Sequence, residues 1–503
     1  MEQKLYIPNK NHSEYNLLMA YPACESFALS SLGYLWLYKL ADTMDEISVE
    51  RVYTDSKHII SPCSAMSFSM SFDFDFMGVF EILEKYNIPF LSKDRDDSNP
   101  IIFAGGPVLT TNPEPYKNFF DFMIIGDGED VFIRVLDILK QNLDKKTTLE
   151  MLSNIDGIYI PNVTRTVKKN TVNLREVIYT PIINDNSYFK DTFIIEVARG
   201  CMNRCAFCTA SYTNLPFRQN EYEQIIEAID LGLKYTNKIA LLGAQVSAHC
   251  KFNEIIEYLS KKIDENPLIE FGISSLRTDS VTPELVKFLV KGGQKTSTIA
   301  IESASERLRK YINKNLNEAQ ILNAVKISRE NGLKGLKIYS MIGLPTETDE
   351  DIEEFLRLGK KIKEENKGFN IAFSFSSFVP KPQTPLQWSK REDTKSLEKK
   401  QKYLEKEFAK IGIETKFSSI KWDYWQTILS RGDESLTQFL IDVYKNGGKN
   451  SAYKTALKQN NINISKMVNG FGFEDYLAWD FIDSCPPKQL LINEWNRLQK
   501  FAK

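Results

Sequence analysis

Between residues 193 and 378 six short apolar runs return at intervals: Phe193–Ala198, Lys238–Leu242, Leu268–Ile273, Ser297–Ile301, Gly335–Ile342 and Ile371–Phe378. Between the first two, Ile225, Ile226, Ile229 and Leu233 recur at helical spacing, as a crossover helix laid over a parallel sheet requires. Six such units predict a partial (β/α)6 barrel over 188–388, a fold whose chemistry sits at the carboxyl ends of its strands.

Directly after the first run comes Arg199-Gly-Cys-Met-Asn-Arg-Cys-Ala-Phe-Cys208, with Cys201, Cys205 and Cys208 in one short loop. With seven cysteines in 503 residues, this spacing arises by chance in on the order of one such chain per thousand. Three thiolates from one loop can converge on a metal centre, but they supply no fourth ligand. Structural zinc wants a closed tetrahedron of four protein ligands, which His249 or Cys250 would have to complete; iron–sulfur clusters are held by thiolates and can leave one iron open. Ordinary buried cysteines are the plainest alternative. Cys24, Cys63, Cys250 and Cys485 form no second cluster and read as packing residues.

The loop, with Phe207 before its last cysteine, resembles the cluster-binding loop of radical S-adenosylmethionine enzymes. The resemblance implies that the three cysteines bind a 4Fe-4S cluster and that S-adenosylmethionine chelates its remaining iron. It also implies reductive cleavage to a 5'-deoxyadenosyl radical and a small electron donor such as flavodoxin or ferredoxin. Leu242-Gly243-Ala244-Gln245 stands where the family has a Gly-Gly-Glu-like turn; lacking the acid, it carries over only the backbone role of Gly243 and Ala244, and Gln245 can simply cap a turn. Arg277, in Ser274-Ser-Leu-Arg277, could meet the methionyl carboxylate or make a plain surface ion pair. Glu302, ending the fourth run, matches the family's acid for the cofactor's amino group or ribose; helix-start decoration is its alternative. Gly343, in Lys337-Ile-Tyr-Ser-Met-Ile-Gly343, would let backbone approach the adenine, and Val379 and Pro380, in Phe378-Val-Pro-Lys-Pro-Gln-Thr-Pro-Leu-Gln-Trp388, would flank it. This last stretch, with Arg431-Gly-Asp433 and Leu477-Ala-Trp-Asp480, resembles one poorly characterised branch of the family.

Residues 1–187 alternate strands (Asn16–Ala20, Pro100–Ala104, Phe122–Gly126) with helices such as Val131–Gln141, predicting a Rossmann-like doubly wound domain. Gly105-Gly106-Pro107 offers either a ligand approach or a tight turn. Ala104-Gly-Gly-Pro107, Asn112-Pro-Glu-Pro115 and Gly126-Asp-Gly-Glu129 resemble the cobalamin-binding domain that precedes many radical barrels. The Asp-x-His-x-x-Gly signature is absent, however, and His12 and His58 lie elsewhere, so the reading favours a degenerate domain kept for packing or substrate binding. Cobalamin bound without a protein ligand to cobalt remains the alternative.

Residues 389–503 read as a helical region whose first helix packs an apolar stripe on the barrel. Sixty-four basic and 66 acidic residues cancel, leaving no footprint for nucleic acid or anionic membrane. No signal peptide or membrane span is expected, and the expected location is the cytoplasm, where thiols stay reduced. The leading expectation is therefore a radical S-adenosylmethionine enzyme of unknown substrate. Cobalamin-dependent radical methyl transfer and a non-catalytic iron–sulfur electron-transfer or sensing role are the alternatives. A tRNA methylthiotransferase is disfavoured because its additional amino-terminal cluster cysteines and basic RNA module are not seen.

Overall fold

The computed structural model describes residues 2–9, 15–57, 62–273, 275–483 and 486–502. His12, His58, Ser274 and Cys485 lie outside the described residues. The amino-terminal strands β1 (Tyr15–Tyr21), β2 (Ile47–Tyr53), β3 (Ala65–Ser69), β4 (Ile101–Gly105), β5 (Phe122–Ile124) and β6 (Ile158–Tyr159) lie in the order β2-β1-β3-β4-β5-β6. Every neighbouring pair is parallel except β5 with β6. Successive residues feed opposite layers. Leu17, Met19 and Phe103 enter one core with Leu35 and Val135 from helices Leu32–Asp42 and Glu129–Leu139, while Leu18, Ala20 and Ile102 enter another with Val79 and Phe80. This is the expected doubly wound sheet, and its switch point, where such folds take ligands, lies between β1 and β3. The strands β2 and β3 were not anticipated, because Glu50, Arg51, Ser67 and Ser69 dilute their apolar runs.

The barrel follows with β7 (Thr192–Glu196), β8 (Lys238–Leu242) and β9 (Glu270–Ile273) in one parallel sheet. A second parallel sheet contains β10 (Leu276–Arg277), β11 (Thr296–Glu302), β12 (Gly335–Ile342), β13 (Asn370–Ser377) and β14 (Glu414–Phe417). All six expected runs become strands, and β14 extends the sheet from within the mainly helical carboxyl-terminal region. Phe193, Ile195, Ile239, Ile299, Ile338 and Phe373 point outward into a shared core with the crossover helices. On helix Tyr222–Leu233, Ile225 and Ile229 are wholly buried, and Gly232 lies so close to the first strand that a Cβ there would stand 2.5 Å from the Phe193 ring. Gly232→Val is expected to cost about 1–3 kcal/mol through overpacking, measured as a lowered urea midpoint with an unchanged slope.

Helix Thr394–Lys410 packs Leu397, Leu404 and Phe408 on the barrel core, as the apolar stripe implied. The next helices take another partner. Trp425, Ile428, Phe439 and Tyr453 join Phe76, Phe80 and Tyr116 in the core on one face of the amino-terminal sheet. The carboxyl-terminal region thereby ties the amino-terminal sheet to the barrel. No helix among the described residues is long and apolar enough to cross a membrane.

Candidate metal centre

The cysteine loop is fixed by backbone before any metal is considered. A two-residue antiparallel pairing of Ala198–Arg199 with Arg218–Gln219 closes its base. Gly200 follows at φ +85°, where a Cβ would meet the Asn214 carbonyl at 2.4 Å; only glycine suits that turn. The far side is sewn to other elements: Ala206 N–H donates to Ile312 O at 2.9 Å, Leu386 N–H to Ala206 O at 3.3 Å, and Asn313 Nδ2 to Arg204 O at 2.9 Å. Asn203 donates to Cys201 Sγ at 3.4 Å and to the Gln245 side-chain oxygen. Gln245 thus reaches across to the cysteine loop from the turn after β8, rather than only capping that turn.

Cys205 is buried and Cys201 and Cys208 are partly buried. Burial pushes the Cys205 thiol up to about 12, and burial likewise raises Cys208, with Cys201 close enough to add to the effect. A bound cation reverses this, since metal ligation requires the thiolate. His249 cannot complete a zinc site in this arrangement: its Nε2 bonds Asn220 O at 2.8 Å and its Nδ1 accepts from Lys251 N–H at 3.1 Å. Cys250 is exposed and bonded to Gln219. Among the described residues no three His, Cys, Asp or Glu side chains converge on one ion. Three thiols along one loop without a fourth protein donor suit a cluster whose irons are ligated separately. The packing role expected of the other cysteines holds for Cys63, which packs partly buried against one core of the amino-terminal sheet, and needs correction for Cys250, which is exposed, and for Cys24, which is only half-buried beside the start of a helix.

Beside Cys205 stand three charged groups, Glu302 and Arg277 at the carboxyl ends of neighbouring strands and Lys314 in the loop after the helix Glu306–Tyr311. Glu302 follows a register shift in β11 and sits at φ +66°, a left-handed conformation that a non-glycine residue holds only when its surroundings enforce it. Its carboxylate pairs with Lys314 Nζ at 2.9 Å, both side chains nearly buried. Burial opposes the Lys314 charge, but Glu302 and Cys205 together hold its pKa above that of ordinary lysine. Arg277 donates to Lys314 O at 3.1 Å and pairs with Asp279 at 2.7 Å, so the ion-pair alternative describes its present partner. Sequence reasoning missed Lys314, whose setting Tyr311-Ile-Asn-Lys-Asn has no periodic or motif signal.

The remaining expected residues ring the same carboxyl face. Phe207 packs with Met341 and Phe378 beneath the loop. Gly243 lies close to Ala198, a Cβ there falling 3.1 Å from its carbonyl, and Ala244 follows it in the same turn. Val379 is half-buried and Pro380 buried. Gly343, at φ +78°, turns its bare side toward Leu397, 2.6 Å from where a Cβ would be. The turn is held by Glu347, which accepts from Gly343 N–H at 2.8 Å and pairs with Lys400 at 2.7 Å. Burial lifts Glu347 to about 7 despite Lys400.

The motifs shared with the poorly characterised branch fasten the two halves together. Lys381 pairs with Asp73 at 2.7 Å, Gln383 donates to Thr110 O at 2.7 Å, and Asn112 donates to Gly432 O at 2.8 Å. Arg431 donates to the carbonyls of Gln387, Ser389 and Met467, and Trp479 Nε1 to Gln387 Oε1 at 2.7 Å. Asp127 and Glu129 of Gly126-Asp-Gly-Glu129 clamp Arg199 at 3.0 and 2.7 Å, joined by Glu196 at 2.7 Å. Above this clamp a cavity of about 330 Å³ opens at the switch point, lined by Ser67, Ser69, Gly105, Gly126, Glu129 and Arg199 among others. Gly105 and Gly106 both line that space, and Gly106, at φ +121° with its Cβ position 2.3 Å from Met70 O, also serves the turn.

The description "Radical SAM proteins, N-terminal" matches residues 33–161 and "Radical SAM superfamily" matches 195–359. An uncharacterised protein of Methanocaldococcus jannaschii is 30% identical over 473 residues, 92% of this chain and 98% of its own length. An uncharacterised methyltransferase of Pyrococcus horikoshii is 25% identical over 60% of this chain and 67% of its own. Among solved structures, the cobalamin-dependent S-adenosylmethionine radical enzyme OxsB with aqua-cobalamin and S-adenosylmethionine bound superposes with a TM-score of 0.54 at 14% identity. That match covers 99% of this chain and 76% of OxsB, and it is a likeness of fold.

Proposed function

Because the chain belongs to the radical SAM superfamily of enzymes, we propose that it binds a 4Fe-4S cluster on Cys201, Cys205 and Cys208 and S-adenosylmethionine at the remaining iron. When bound and reduced, the cluster would supply one electron to the sulfonium of S-adenosylmethionine, the chemistry of reductive carbon–sulfur cleavage and substrate hydrogen abstraction. The chain's residues bind, orient and shield. The observation that carries this reading is the thiol loop at the carboxyl end of the first barrel strand with Glu302 and Lys314 beside Cys205. Glu302 offers acceptors for the methionyl ammonium, Lys314 and Arg277 positive charge for its carboxylate, and the Gly243–Ala244 backbone a further edge. Phe207, Val379 and Pro380 shape the apolar wall for adenine. A small donor such as flavodoxin or ferredoxin supplies the electron.

Anaerobically purified, iron-reconstituted protein reduced with dithionite should release 5'-deoxyadenosine from S-adenosylmethionine; release no greater than a protein-free control would sink the reading. This assay also separates it from an electron-transfer or sensing role. Glu302→Gln is expected to leave iron content unchanged and weaken S-adenosylmethionine binding about tenfold, the equivalent of one charged hydrogen bond; an unaltered dissociation constant would remove Glu302 from the site.

The cavity at the switch point favours a second reading, cobalamin-dependent methyl transfer. No histidine lines it, and Glu129 Oε2 is a buried acceptor without a partner. A corrinoid exceeds the drug-sized ligands that fill roughly 300–1,000 Å³, so the cavity as it stands takes part of one, or a smaller molecule whole. Co-elution of cobalamin with the protein on gel filtration, with a shifted visible spectrum, is the result this reading requires.

A further inference from the structure

The inner face of the half-barrel carries a row of polar side chains that nothing in the proposed cofactor site uses. On β12 the residues Leu336, Ile338 and Ile342 point outward into the helix-covered core, which turns Lys337 and Tyr339 to the concave side. Parallel register places Thr298 and Ala372 beside Lys337, and Ala300 and Ser374 beside Tyr339. Ser376 continues the same face one step along β13 and is exposed. Small neighbours leave Tyr339 standing 43% exposed in the middle of the floor.

The charge pattern on that face is uneven. Its acidic residues each stand beside a cation: Glu302 pairs with Lys314, Glu196 with Arg199 and Glu414 with Lys416, while Glu270 lies in register with Lys238. Lys337 has no carboxylate partner among the described residues; its ammonium lies 5.9 Å from the centroid of the Tyr339 ring. A half-buried ammonium over the Tyr339 ring, with Thr298 in register beside Lys337 and Ser374 in register beside Tyr339, makes this stretch of the face rich in donors, the complement of an oxygen-rich anion.

We infer that Lys337, with Tyr339, Thr298 and Ser374 on the same face, anchors an oxygen-rich anionic group, carboxylate or phosphate, of the substrate on the barrel floor. The inference rests on the radical reading of the barrel and adds a substrate class to it. Lys337 precedes Met341 by four residues, about 13 Å of strand, and Met341 packs with Ala206 under the cysteine loop. A substrate spanning floor and loop therefore carries its anionic group on the order of 10 Å from its reacting carbon. That separation also keeps Lys337 clear of the methionyl carboxylate, which belongs at the cluster end.

The test uses the full-length, cluster-reconstituted protein and two probes, inorganic phosphate and acetate, titrated by calorimetry at constant ionic strength. The expected result is saturable binding of at least one probe, weakened tenfold or more by Lys337→Met and retained by Lys337→Arg. Phosphate binding alone assigns the anion as phosphate, and acetate binding alone as carboxylate. Binding of neither probe, or equal binding by wild type and Lys337→Met, overturns the inference. Uncoupled 5'-deoxyadenosine release is read alongside: Lys337→Met should keep it, and its loss in that variant alone places the lysine in the cofactor site and also overturns the inference. Absence of release from the wild type with anion binding intact would fault the radical reading instead.

Discussion

Cys205→Ala is expected to abolish iron–sulfur absorbance and 5'-deoxyadenosine release together while the apo protein unfolds within about 1 kcal/mol of the wild type. On the proposed reading the two losses would be coupled, because a two-thiol loop would not hold three irons and without the cluster no electron would reach the sulfonium. The fold is expected to survive because the bonds that fix the loop are main-chain or remote from the thiol: Ala206 to Ile312, Leu386 to Ala206 and Asn313 to Arg204. The side chain removed is small, and the core cluster beneath it is built from Ala206, Leu308, Ile312, Met341 and Phe378. Iron analysis, visible spectra and urea denaturation of the same preparations check the three statements. Cleavage persisting in the alanine variant would mean that the thiols serve something other than the cluster. Cys250→Ala, exposed and outside the loop, is the matching control and should change neither iron content nor cleavage.

Arg431→Leu is expected to destabilise the protein by about 4 kcal/mol, read as a lower urea midpoint. Arg431 is 2% exposed and has no carboxylate partner among the described residues, so burial lowers its pKa to about 9. What holds the charge there is a ring of main-chain acceptors: Met467 O at 2.8 Å from Nε, and Gln387 O and Ser389 O at 3.0 and 2.8 Å from Nη1. Leucine fills much of the volume but leaves three buried carbonyls without donors, and each orphaned acceptor costs about 1–3 kcal/mol. Relief from burying a cation offsets part of that sum. Arg431→Lys keeps charge yet loses the planar fork, and should fall between the two. The loosened segment also carries Leu386, which donates to Ala206 in the cysteine loop. Amide exchange at Ala206 and Leu386 should therefore rise in Arg431→Leu even in the folded state. An unchanged unfolding midpoint would mean that the carbonyls find other donors.

The branch-specific motifs show where reading a sequence and reading a structure part. Lys381, Gln383, Arg431 and Trp479, with Asn112 from the cobalamin-domain-like motif, were recognisable as patterns, and the stretch after Phe378 suggested a closed edge for adenine. The structure gives most of those side chains a different task, bonding the amino-terminal sheet and carboxyl-terminal helices to each other. A motif signals that residues act together without saying on what. Gly343 is similar: its need for φ +78° was legible as a turn, but the neighbour its missing side chain admits is Leu397, more than fifty positions later. Lys314 was invisible because it meets Glu302 only through the loop that returns from the helix after β11.

By itself the sequence determined the alternation of strands and helices, the barrel's six runs and the thiol spacing. Each of these is written in periods of two to four residues, set by backbone geometry and side-chain burial along one element. Tertiary structure alone decided that Lys314 neutralises Glu302 beside Cys205, that Asp127 and Glu129 meet Arg199, and that no carboxylate among the described residues pairs with Lys337 on the barrel floor. Such pairings follow from distances in space between residues far apart along the chain. Electrostatic energy depends on those distances and on burial, and neither is fixed until the sheets have curved and the helices have closed over them.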